Sequence, residues 1–481
     1  MMTVADIFLA HASQLGDTSA LVADGRSLTF RDIGDQAAQT ARVLLDLGVR
    51  AHDRVGITTR RGADCVVESV ALWMIGATVV PLDFRMPAVE MATLVAEFDL
   101  TTVLTDRGMG LSGVTECVRD EAWRAKIAAA SNLPPEAPAD PGLAIISLTS
   151  GTTGRPIGIA LSHVQFVLRT NQYGRVTAGT GQTFACAGLM SFSAVRNHAF
   201  GHLLAGNTVR LYPPLMDASE FIERLQADRV TNTFSVPTMV RNMLAVAAGA
   251  RAPVLPNLRC LYAGGADMST EDKLAARRLL TPTFLLCFSS SITGTCSILQ
   301  GDDLLARPDT DGRILRGIRV EVVDDQDNTV PEGEIGLLRV RSPAMASALI
   351  GGKGRAQGDK LKGGWAYTGD LAAVSDNFLS IRGRSGDFII RGGANVYPSE
   401  IEHAIMTLDG VRECAAIGFA SAREGQEIAA FVAGDGLTED RLVRHCRATL
   451  SPDKRPRRFL FVDALPRNAN GKVLRKELVV Q

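Results

Sequence analysis

The strongest constraint on the fold is a short apolar run that passes directly into a loop of small and hydroxylated residues. The run 143–148 (LAIISL) is typical of a buried strand, and the stretch 148–158 (LTSGTTGRPIG) continues from it. Small residues let backbone N–H groups approach an anion closely, and hydroxyl groups add further donors. Because no GK[ST] sequence follows, the loop is not a Walker A motif. Taken alone, these residues also fit a plain turn.

The N-terminal three quarters of the chain alternates helical and strand patterns. Apolar residues recur at helical spacing over 33–45, and Gly48 follows that segment. The run 260–263 (CLYA) predicts a second buried strand. The stretch 132–142 contains four prolines and predicts an extended surface connection. This alternation favours doubly wound β-sheets with helices packed on them.

The pattern changes twice towards the C-terminus. From about 312 to 345 it reads strand–turn–strand and predicts a small β-barrel-like unit. Beyond 386, Ser399–Glu402 reads as a capping box that opens a helix. Strands are predicted at 413–419, 428–433 and 459–462, and a further helix from Thr438. We therefore expect an α/β chain with a large N-terminal domain, residues 1–385, and a small α+β lid domain, residues 386–481.

Composition excludes several classes of protein. The 51 basic and 52 acidic residues nearly cancel, which argues against a general nucleic-acid binder. A membrane helix needs about 20 apolar residues, whereas the longest candidate, 70–82, is shorter and contains Gly76, Thr78 and Pro81. The N-terminus lacks the pattern of a signal peptide, and the eight cysteines form no CxxC pair. We expect a cytoplasmic protein with reduced thiols, no membrane span and no nucleic-acid partner.

The loop at 148–158 resembles the phosphate loop of the AMP-forming acyl-CoA synthetases, members of the adenylate-forming ligase superfamily. Other segments resemble further motifs of that family, in the family's order, over nearly the whole chain. They are GATVVPL (76–82), VPTM (236–239), AGGA (263–266), GEIG (333–336), YTGDL (367–371), GRSGD (383–387), RGGAN (391–395) and PRNANGKV (466–473). Each motif is weak alone, whereas nine in the right order are a specific signal.

The resemblance implies a role for each matching residue. Asp370 would accept hydrogen bonds from both ribose hydroxyls, and Arg384 would contact the nucleotide. Lys472 would be catalytic, lying over the acyl-phosphate oxygens. The remaining nucleotide-binding residues implied in this way are Thr149, Ser150, Gly151, Thr152, Thr153, Gly154, Gly264, Gly265, Ala266 and Thr293.

The resemblance also implies a CoA tunnel, a hinge and an acyl pocket. Gly392 and Gly393 would line the tunnel for pantetheine, and Gly386 occupies the hinge position of the lid. The residues expected around the acyl pocket are Phe192, Ser193, Ser235, Ser289 and Ser290. Their small side chains favour a bulky carboxylic acid of bacterial secondary metabolism. His198 and His202 lie four residues apart, but Ala199 stands where a zinc protease has glutamate, so we expect no metal site there.

Two charged positions of the family pattern are missing. Ile157 replaces the lysine of the phosphate loop, and Gly294 replaces the glutamate that helps to hold Mg²⁺. Residues 281–301 contain no acidic side chain. Both losses affect the pyrophosphate and its metal, and removing one such contact typically costs ~10²–10³ in rate.

These departures resemble the non-adenylating acyl-CoA ligases of bacterial natural-product pathways, of the platensimycin and platencin type. The hypothesis is transfer of an acyl group from an acyl-adenylate, made by an upstream adenylating enzyme, to CoA. One alternative is an ordinary ATP-dependent ligase that uses ATP and Mg²⁺, with Arg155 compensating for the missing lysine. Another is a pseudoenzyme that binds acyl-AMP without turnover.

Overall fold

The structure is a computed structural model of the 481-residue chain. It describes residues 2–150, 156–174, 181–214, 216–351, 360–385, 389–391, 394–421, 425–467 and 473–480. Among these residues, no helix is both long and apolar enough to cross a bilayer.

Helices and strands alternate over the first three hundred residues, and strands predominate after them. The α-helices are α1 (Val4–Gln14), α2 (Phe30–Asp46), α3 (Gly62–Met74), α4 (Ala88–Glu97), α5 (Glu121–Ala129), α6 (His163–Gly174), α7 (Ser193–Leu204), α8 (Ala218–Ala227), α9 (Pro237–Val246), α10 (Thr270–Ala275), α11 (Gly301–Ala306), α12 (Pro398–Met406) and α13 (Glu439–Thr449). The strands up to the end of the alternation are β1 (Ser19–Ala23), β2 (Arg26–Thr29), β3 (Arg54–Thr58), β4 (Thr78–Leu82), β5 (Leu100–Thr105), β6 (Thr115–Val118), β7 (Leu143–Ser150), β8 (Pro156–Ser162), β9 (Thr183–Ala187), β10 (Thr208–Tyr212), β11 (Asn232–Ser235), β12 (Cys260–Gly264), β13 (Phe284–Ser290) and β14 (Gly294–Gln300). The later strands are β15 (Arg313–Ile314), β16 (Arg319–Val323), β17 (Gly336–Arg341), β18 (Ala348–Ile350), β19 (Leu361–Lys362), β20 (Trp365–Ser375), β21 (Phe378–Arg384), β22 (Ile389–Arg391), β23 (Ala394–Val396), β24 (Val411–Ser421), β25 (Gly425–Gly434) and β26 (Arg458–Phe461).

The strands form three mixed sheets. The largest has the order β16-β17-β20-β21-β15-β14-β13-β12-β11-β9-β10-β1-β2, with β19 paired to β20. The second has the order β18-β8-β7-β4-β3-β5-β6, and the third has the order β23-β22-β25-β24 with β26 paired to β25. In the first two sheets, β9 and β10, β11 and β12, and β3 and β4 are pairs of neighbouring strands that are joined through a helix and run parallel.

One apolar core lies between the two larger sheets. α2 begins with a complete capping box in which Thr29 and Asp32 exchange hydrogen bonds, and its apolar stripe is buried. Trp73 on α3 lies 5.1 Å from Phe200 on α7, measured between ring centroids. Its Nε1 atom donates a 2.7 Å hydrogen bond to the carbonyl oxygen of Ala144. The core thereby fixes β7, the strand that leads into the predicted phosphate loop.

The structure confirms the α/β fold and most of the predicted elements. The helical pattern over 33–45 lies in α2, the apolar runs 143–148 and 260–263 lie in β7 and β12, and 132–142 contains no helix or strand. The predicted C-terminal strands correspond to β24, β25 and β26. Thr438 is the N-cap of α13, and its hydroxyl accepts a hydrogen bond from the backbone N–H of Arg441.

The prediction of a small barrel-like unit is wrong, because the described strands form no closed barrel. β15 pairs with β14 on one side and with β21 on the other. This two-residue strand therefore continues the large sheet into β21, β20, β17 and β16 instead of letting those strands close on themselves. No sequence pattern marks so short a strand.

The predicted capping box at Ser399–Glu402 is also wrong, although the helix exists. α12 begins with Pro398, so Ser399 lies inside the first turn and Tyr397 is the N-cap residue. The Ser399 hydroxyl donates to the carbonyl oxygen of Arg382, and the Glu402 carboxylate accepts from Arg475 over 2.7 Å. Both side chains therefore fasten the helix to neighbouring segments.

Candidate active site

β7 and β8 form an antiparallel hairpin whose connection is the predicted phosphate loop. Thr149 lies opposite Ile157, and its hydroxyl donates a 3.3 Å hydrogen bond to the Ile157 carbonyl oxygen. The predicted residues Gly151, Thr152, Thr153 and Gly154 lie outside the described residues, as do Arg155 and the side chain of Ser150. The structure therefore fixes both ends of the loop on one buried hairpin.

Ile157 belongs to the apolar core. Its side chain is 4% exposed and packs in the cluster that lies between the two larger sheets. Ile159 and Leu161, at alternate positions of β8, are buried in the same cluster. A lysine in this orientation would carry its charge towards apolar side chains, which is unfavourable.

Asp370, in the middle of β20, meets Arg384, the last residue of the neighbouring strand β21. They are paired across β20 and β21, and Arg384 Nε lies 3.0 Å from Asp370 Oδ1. The Asp370 side chain is 8% exposed, whereas that of Arg384 is 45% exposed. Thr368 Oγ1 accepts a 3.1 Å hydrogen bond from the backbone N–H of Asp370. The arrangement presents a held carboxylate beside a guanidinium that reaches solvent.

The end of β12 leaves backbone accessible beside β13. A Cβ atom on Gly264 would lie 2.8 Å from both the carbonyl oxygen and Sγ of Cys287, so only glycine fits at this position. Gly265 has a φ of +93° and is exposed, as is Ala266. These residues form a surface on which a flat group could lie against the main chain.

The turn between β13 and β14 contains the predicted Thr293. This residue is fully buried, and its hydroxyl lies 3.1 Å from both the Gly294 carbonyl oxygen and Cys296 Sγ. Gly294 has a φ of +78°, which disfavours other residues. Asp370 and Arg169 both act electrostatically on Cys296, whose pKa burial raises to about 12. The Asp370 carboxylate is therefore close enough to Cys296, near the start of β14, to act on it electrostatically.

Arg169 on α6, which the sequence analysis did not single out, holds the β13–β14 turn in place. Its side chain is buried, and its guanidinium donates four hydrogen bonds to carbonyl oxygens of distant segments. Two go to Ala344, at 3.1 and 2.7 Å, and the others to Ser291 at 2.7 Å and Ile292 at 2.9 Å. The partners lie more than a hundred residues away, so no local pattern could have indicated them.

Gln172, one turn further along α6, holds the same turn. Its Oε1 atom accepts a 3.1 Å hydrogen bond from the backbone N–H of Thr295, and its Nε2 atom donates to the Thr295 carbonyl oxygen over 3.3 Å. A Cβ atom on Gly294 would lie 2.8 Å from Gln172 Oε1 and 3.5 Å from Arg169 Nε. The space beside position 294 is thus filled from α6.

A second buried arginine lies on α7. Arg196 is 1% exposed and donates to the carbonyl oxygens of Met190 and Ser191, at 3.0 and 2.9 Å, and to Ser147 Oγ at 2.5 Å. Burial lowers its pKa to about 10, and the nearby charge of Arg169 contributes in the same direction. Like Arg169, it links segments that lie far apart in sequence.

The residues predicted for the acyl pocket come from three elements. Phe192 is the N-cap residue of α7, Ser193 opens that helix, and the Arg85 guanidinium lies 5.7 Å from the Phe192 ring centroid. Ser235 ends β11 and is buried. Ser289 and Ser290 end β13, and Ser289 Oγ donates to Thr295 Oγ1 over 3.1 Å.

The two histidines of α7 lie in an aromatic stack against the large sheet. His198 stacks on Phe234 at 4.5 Å, and His202 stacks on Phe184 at 4.5 Å, measured between ring centroids. Burial lowers the pKa of His202 to about 4 and that of His198 well below its usual range. Among the residues that the structure describes, no three metal-binding side chains come together. The histidines are neutral packing residues next to the strand that ends in Ser235.

Four further predictions cannot be placed, because their residues lie outside the described ranges. They are the catalytic Lys472, the pantetheine residues Gly392 and Gly393, and the hinge residue Gly386. The predicted nucleotide-binding residues that the structure does describe are Thr149, Gly264, Gly265, Ala266, Thr293, Asp370 and Arg384.

The chain matches two family models. Residues 8–349 match the model of the AMP-binding enzyme, and residues 400–472 match that of the AMP-binding enzyme C-terminal domain. The chain therefore belongs to the AMP-binding enzyme family.

The similarity to known proteins extends over nearly the whole chain. The 2-succinylbenzoate–CoA ligase of Bacillus mycoides is 25% identical, with 99% of this chain and 98% of that protein covered. The feruloyl-CoA synthase of an Amycolatopsis species is 29% identical, with 94% of each covered. Family membership and these relatives together support an acyl-CoA ligase, which is an acid–thiol ligase.

A solved structure shares the fold. The o-succinylbenzoate coenzyme A synthetase of Bacillus subtilis, in complex with ATP and a magnesium ion, superposes with a TM-score of 0.86 at 22% identity, covering 98% of each chain. A magnesium ion does not fit the β13–β14 turn of the present chain. Residues 281–301 offer no carboxylate, and the Arg169 guanidinium lies beside Gly294.

Proposed function

We propose that the protein transfers an acyl group from an acyl-adenylate to CoA, and that its own ATP-dependent adenylation is weak or lost. The observation that carries this proposal is the burial of Ile157, which turns the family's lysine position into part of the apolar core. The charged pair on the ribose side, Asp370 and Arg384, is retained. Thiol transfer needs that side and does not need the pyrophosphate side.

The proposed step is a simple acyl substitution. The CoA sulfur forms a bond to the acyl carbonyl carbon, and the bond from that carbon to the phosphate oxygen breaks. AMP leaves with the electron pair of the broken bond, and the thiol proton passes to solvent. Nothing is oxidised or reduced, so the reaction needs no further reactant.

The residues have separate tasks in this proposal. Asp370 accepts hydrogen bonds from the ribose hydroxyls, and Arg384, once released from Asp370, contacts the nucleotide. Lys472 lies over the acyl-phosphate oxygens, and Gly392 and Gly393 line the pantetheine tunnel. Gly386 is the hinge between a domain of residues 1–385 and a lid of residues 386–481. Rotation at this hinge brings Lys472, Gly392 and Gly393 to the nucleotide site.

The acyl group is proposed to be bulky. The small side chains of Ser193 on α7, Ser235 on β11, and Ser289 and Ser290 on β13 support this proposal. An upstream enzyme would supply the adenylate, because the chain itself would make it slowly. The acid is proposed to belong to bacterial secondary metabolism.

The test is to measure acyl-CoA formation by mass spectrometry from two kinds of donor. One set is synthetic acyl-adenylates, and the other is the matching free acids with ATP and Mg²⁺, from short linear to bulky polycyclic acids. The expected result is product from the adenylates at a rate at least about 10² times that from the acids. Comparable rates from both sets would refute the loss of adenylation.

The second candidate is an ordinary ATP-dependent acyl-CoA ligase, using ATP and Mg²⁺. The names of the relatives favour it, since they are a CoA ligase and a CoA synthase. It predicts acid-dependent exchange of pyrophosphate into ATP, which the first proposal does not. A pseudoenzyme that only binds acyl-AMP would form no thioester from either set of donors.

A further inference from the structure

An arginine-lined cleft lies at one edge of the second sheet. It encloses about 460 Å³, and its walls come from the segments that follow β3, β4, β5 and β6 at their carboxyl ends. The arginines that line it are Arg60, Arg61, Arg85, Arg107, Arg119 and Arg124, and the lining also includes Asp106. None of these residues lies in a segment that resembles a family motif. The cleft is therefore a feature of this chain that the proposed function has not used.

The cleft lies where the strand order of the second sheet reverses. The chain passes from β3 to β4 on one side and then crosses to β5 on the other, so β3 pairs with both strands, in parallel. Connections that leave in opposite directions open a crevice between the carboxyl ends of β3 and β5, where open α/β sheets bind their ligands. Thr58 and Thr105 end these two strands, and both line the cleft. The topology therefore marks a binding position independently of the charges.

Three of the arginines, which we call the rim arginines, have no partner. They are Arg60, Arg107 and Arg124, and all three are exposed. Within the described ranges, their guanidinium groups form no hydrogen bond and no ion pair. In contrast, Arg85 pairs with Asp83 at 2.5 Å. Three positive groups around one cavity repel one another, and a bound anion removes this repulsion.

The acidic residue of the lining is already engaged. Asp106 accepts hydrogen bonds from Arg119 Nη1 and from the backbone N–H of Arg60, both over 3.1 Å, and from the Thr59 hydroxyl over 3.2 Å. The Arg119 side chain is only 4% exposed and pairs with the buried Glu68 at 2.6 Å. The floor of the cleft is thus fixed and compensated in charge, whereas the rim keeps an excess of positive charge. A cleft lined by one sign of charge concentrates its field on an incoming anion.

An aromatic ring lies beside the rim arginines. Phe84 lines this cleft and also a neighbouring cavity of about 690 Å³, and Arg60 and Arg61 line both as well. Phe84 is half-buried and packs in none of the apolar clusters of the described residues. A ring that the core does not use can stack on a flat base, and guanidinium groups bind phosphate oxygens in pairs. Phosphates and a base therefore find their partners side by side.

We propose that this cleft binds a nucleoside diphosphate, with the phosphates on the rim arginines and the base on Phe84. The nucleotide end of CoA and free nucleoside diphosphates share this chemistry. The cleft is then a second nucleotide site, since Asp370 and Arg384 lie on strands of the first sheet. Binding in the cleft does not depend on the proposed function; only the identification of CoA as the source of the diphosphate rests on it.

Arginine modification locates the bound ligand directly. The full chain is treated with phenylglyoxal, which reacts with accessible guanidinium groups, and modification of each arginine is followed by peptide mass spectrometry over a series of ADP concentrations. Saturating ADP is expected to slow modification of the rim arginines at least about fivefold. Arg251, an exposed arginine outside the cleft, should react at an unchanged rate. Unchanged rates at all three rim arginines overturn the inference.

Two kinds of variant separate the phosphates from the base, and both are titrated by calorimetry in the Asp370→Ala chain so that the ribose side does not contribute. Arg107→Ala combined with Arg124→Ala removes two charged donors, so the affinities for ADP and for inorganic pyrophosphate should fall roughly 10²-fold or more. Phe84→Leu should weaken ADP binding about fivefold and leave pyrophosphate binding within about twofold.

Arg251→Ala is the matched control, because it removes an exposed arginine outside the cleft and should change both affinities by less than about twofold. A double variant that loses no more affinity than this control refutes the inference, as does a Phe84→Leu variant that weakens both ligands equally. Near-UV circular dichroism checks the fold of each variant. If the double alanine variant does not fold, Arg107→Lys with Arg124→Lys replaces it, and an affinity loss of about tenfold is expected because lysine cannot bind phosphate oxygens in pairs.

Kinetics identifies the source of the diphosphate. In transfer from a synthetic acyl-adenylate, the double alanine variant should raise the KM for CoA at least about tenfold and leave kcat within about twofold, if CoA occupies the cleft. An unchanged KM together with lost ADP affinity assigns the cleft to a free nucleoside diphosphate. If no adenylate gives thioester, the proposed function is refuted, and the ADP protection and titrations still decide whether the cleft is a nucleotide site.

Discussion

The two sides of the candidate nucleotide site differ in how far their charged side chains are exposed to solvent. On the ribose side, Asp370 in β20 and Arg384 at the end of β21 form an ion pair, and the arginine is 45% exposed. On the phosphate side, Ile157 is buried in the apolar core, and the arginine that remains, Arg169, is 3% exposed and fastened to carbonyl oxygens. One side can exchange its partners for a ligand, and the other cannot.

This difference follows from what each arrangement stabilises. The Asp370–Arg384 pair is exposed on its arginine side only, and ribose hydroxyls can take the place of the arginine because they satisfy the buried carboxylate in its stead. A buried guanidinium that donates four hydrogen bonds to three carbonyl oxygens is part of the packing, and moving it would leave polar groups unsatisfied. An arginine that reaches solvent, such as Arg384, therefore remains available to a ligand, whereas an arginine buried in the core, such as Arg169, stabilises the fold.

The largest expected effect tests the ribose side. Asp370→Ala removes an acceptor for two charge-assisted hydrogen bonds, each worth about 1.5–3 kcal/mol, so AMP affinity should fall on the order of 10³-fold. The kcat/KM for transfer from an acyl-adenylate should fall equally, since the ribose is present throughout. Calorimetric titration of AMP and steady-state kinetics with a synthetic adenylate measure both quantities.

Asp376→Ala is the matched control for this variant. Asp376 lies in the turn between β20 and β21, its side chain is 78% exposed, and it pairs with Arg307 at 3.3 Å. We expect AMP affinity within about twofold of the wild type, because surface pairs contribute little. If both variants lost affinity equally, Asp370 would be acting through the hairpin and not through the ligand.

The second prediction tests whether the phosphate side has been absorbed into the core. Ile157→Lys should lower the free energy of unfolding by about 3 kcal/mol, because it directs an ammonium group into apolar packing. Ile157→Val, which only deletes a methyl group, should lower it by about 1 kcal/mol. Urea titration of both variants measures the difference.

The opposite outcome for Ile157→Lys would be informative. A variant as stable as the wild type that also formed thioester from free acid and ATP would mean that the side chain reaches the phosphates. The two sides of the site would then differ by one substitution and not by their architecture.

Sequence patterns predicted the elements whose signals are local. Apolar runs predicted β7 and β12, and helical spacing predicted α2, because burial on one face imposes a period on the residues themselves. The family motifs predicted that Asp370 and Arg384 each contact the nucleotide, and the structure adds that the two residues are paired across β20 and β21.

Features that depend on distant segments could not be predicted in this way. Pro398 and not Ser399 sets the start of α12, and the two-residue β15 decides that the later strands extend the large sheet. Arg169 looks like any polar residue of an amphipathic helix until α6 is packed against the β13–β14 turn. The family pattern gave a position for the missing glutamate but no indication of what fills its space.

The third prediction extends the comparison to the histidine stack behind the acyl pocket. Burial lowers the pKa of His202 from its usual 6.5 to about 4. Between these values the unfolded chain binds a proton here and the folded chain does not, so stability falls as pH falls. From pH 6.5 to 5 the contribution of His202 should decrease by about 2 kcal/mol.

His202→Phe isolates this contribution. The variant keeps an aromatic ring against Phe184 but cannot bind a proton, so its free energy of unfolding should decrease less over the same pH interval. The buried Asp311, whose pKa desolvation raises to about 6, acts in the opposite direction and is common to both proteins. Identical pH dependence in the two proteins would mean that the histidine titrates normally and is not fixed by burial.

The smallest expected effect decides whether the ribose side is as open as its geometry indicates. Arg384→Ala should change the free energy of unfolding by no more than about 1 kcal/mol, because the pair with Asp370 is largely solvated on the arginine side. AMP affinity should nevertheless fall by about tenfold, since a charged donor to the nucleotide is lost. Urea titration and calorimetry on the same preparation give both values, and Arg384→Lys should recover part of the affinity.

If the unfolding free energy fell by more than about 2 kcal/mol, beyond the range of surface pairs, the ion pair would be structural. The ribose side would then be as fixed as the phosphate side, and exposed charge would no longer distinguish binding from packing in this site.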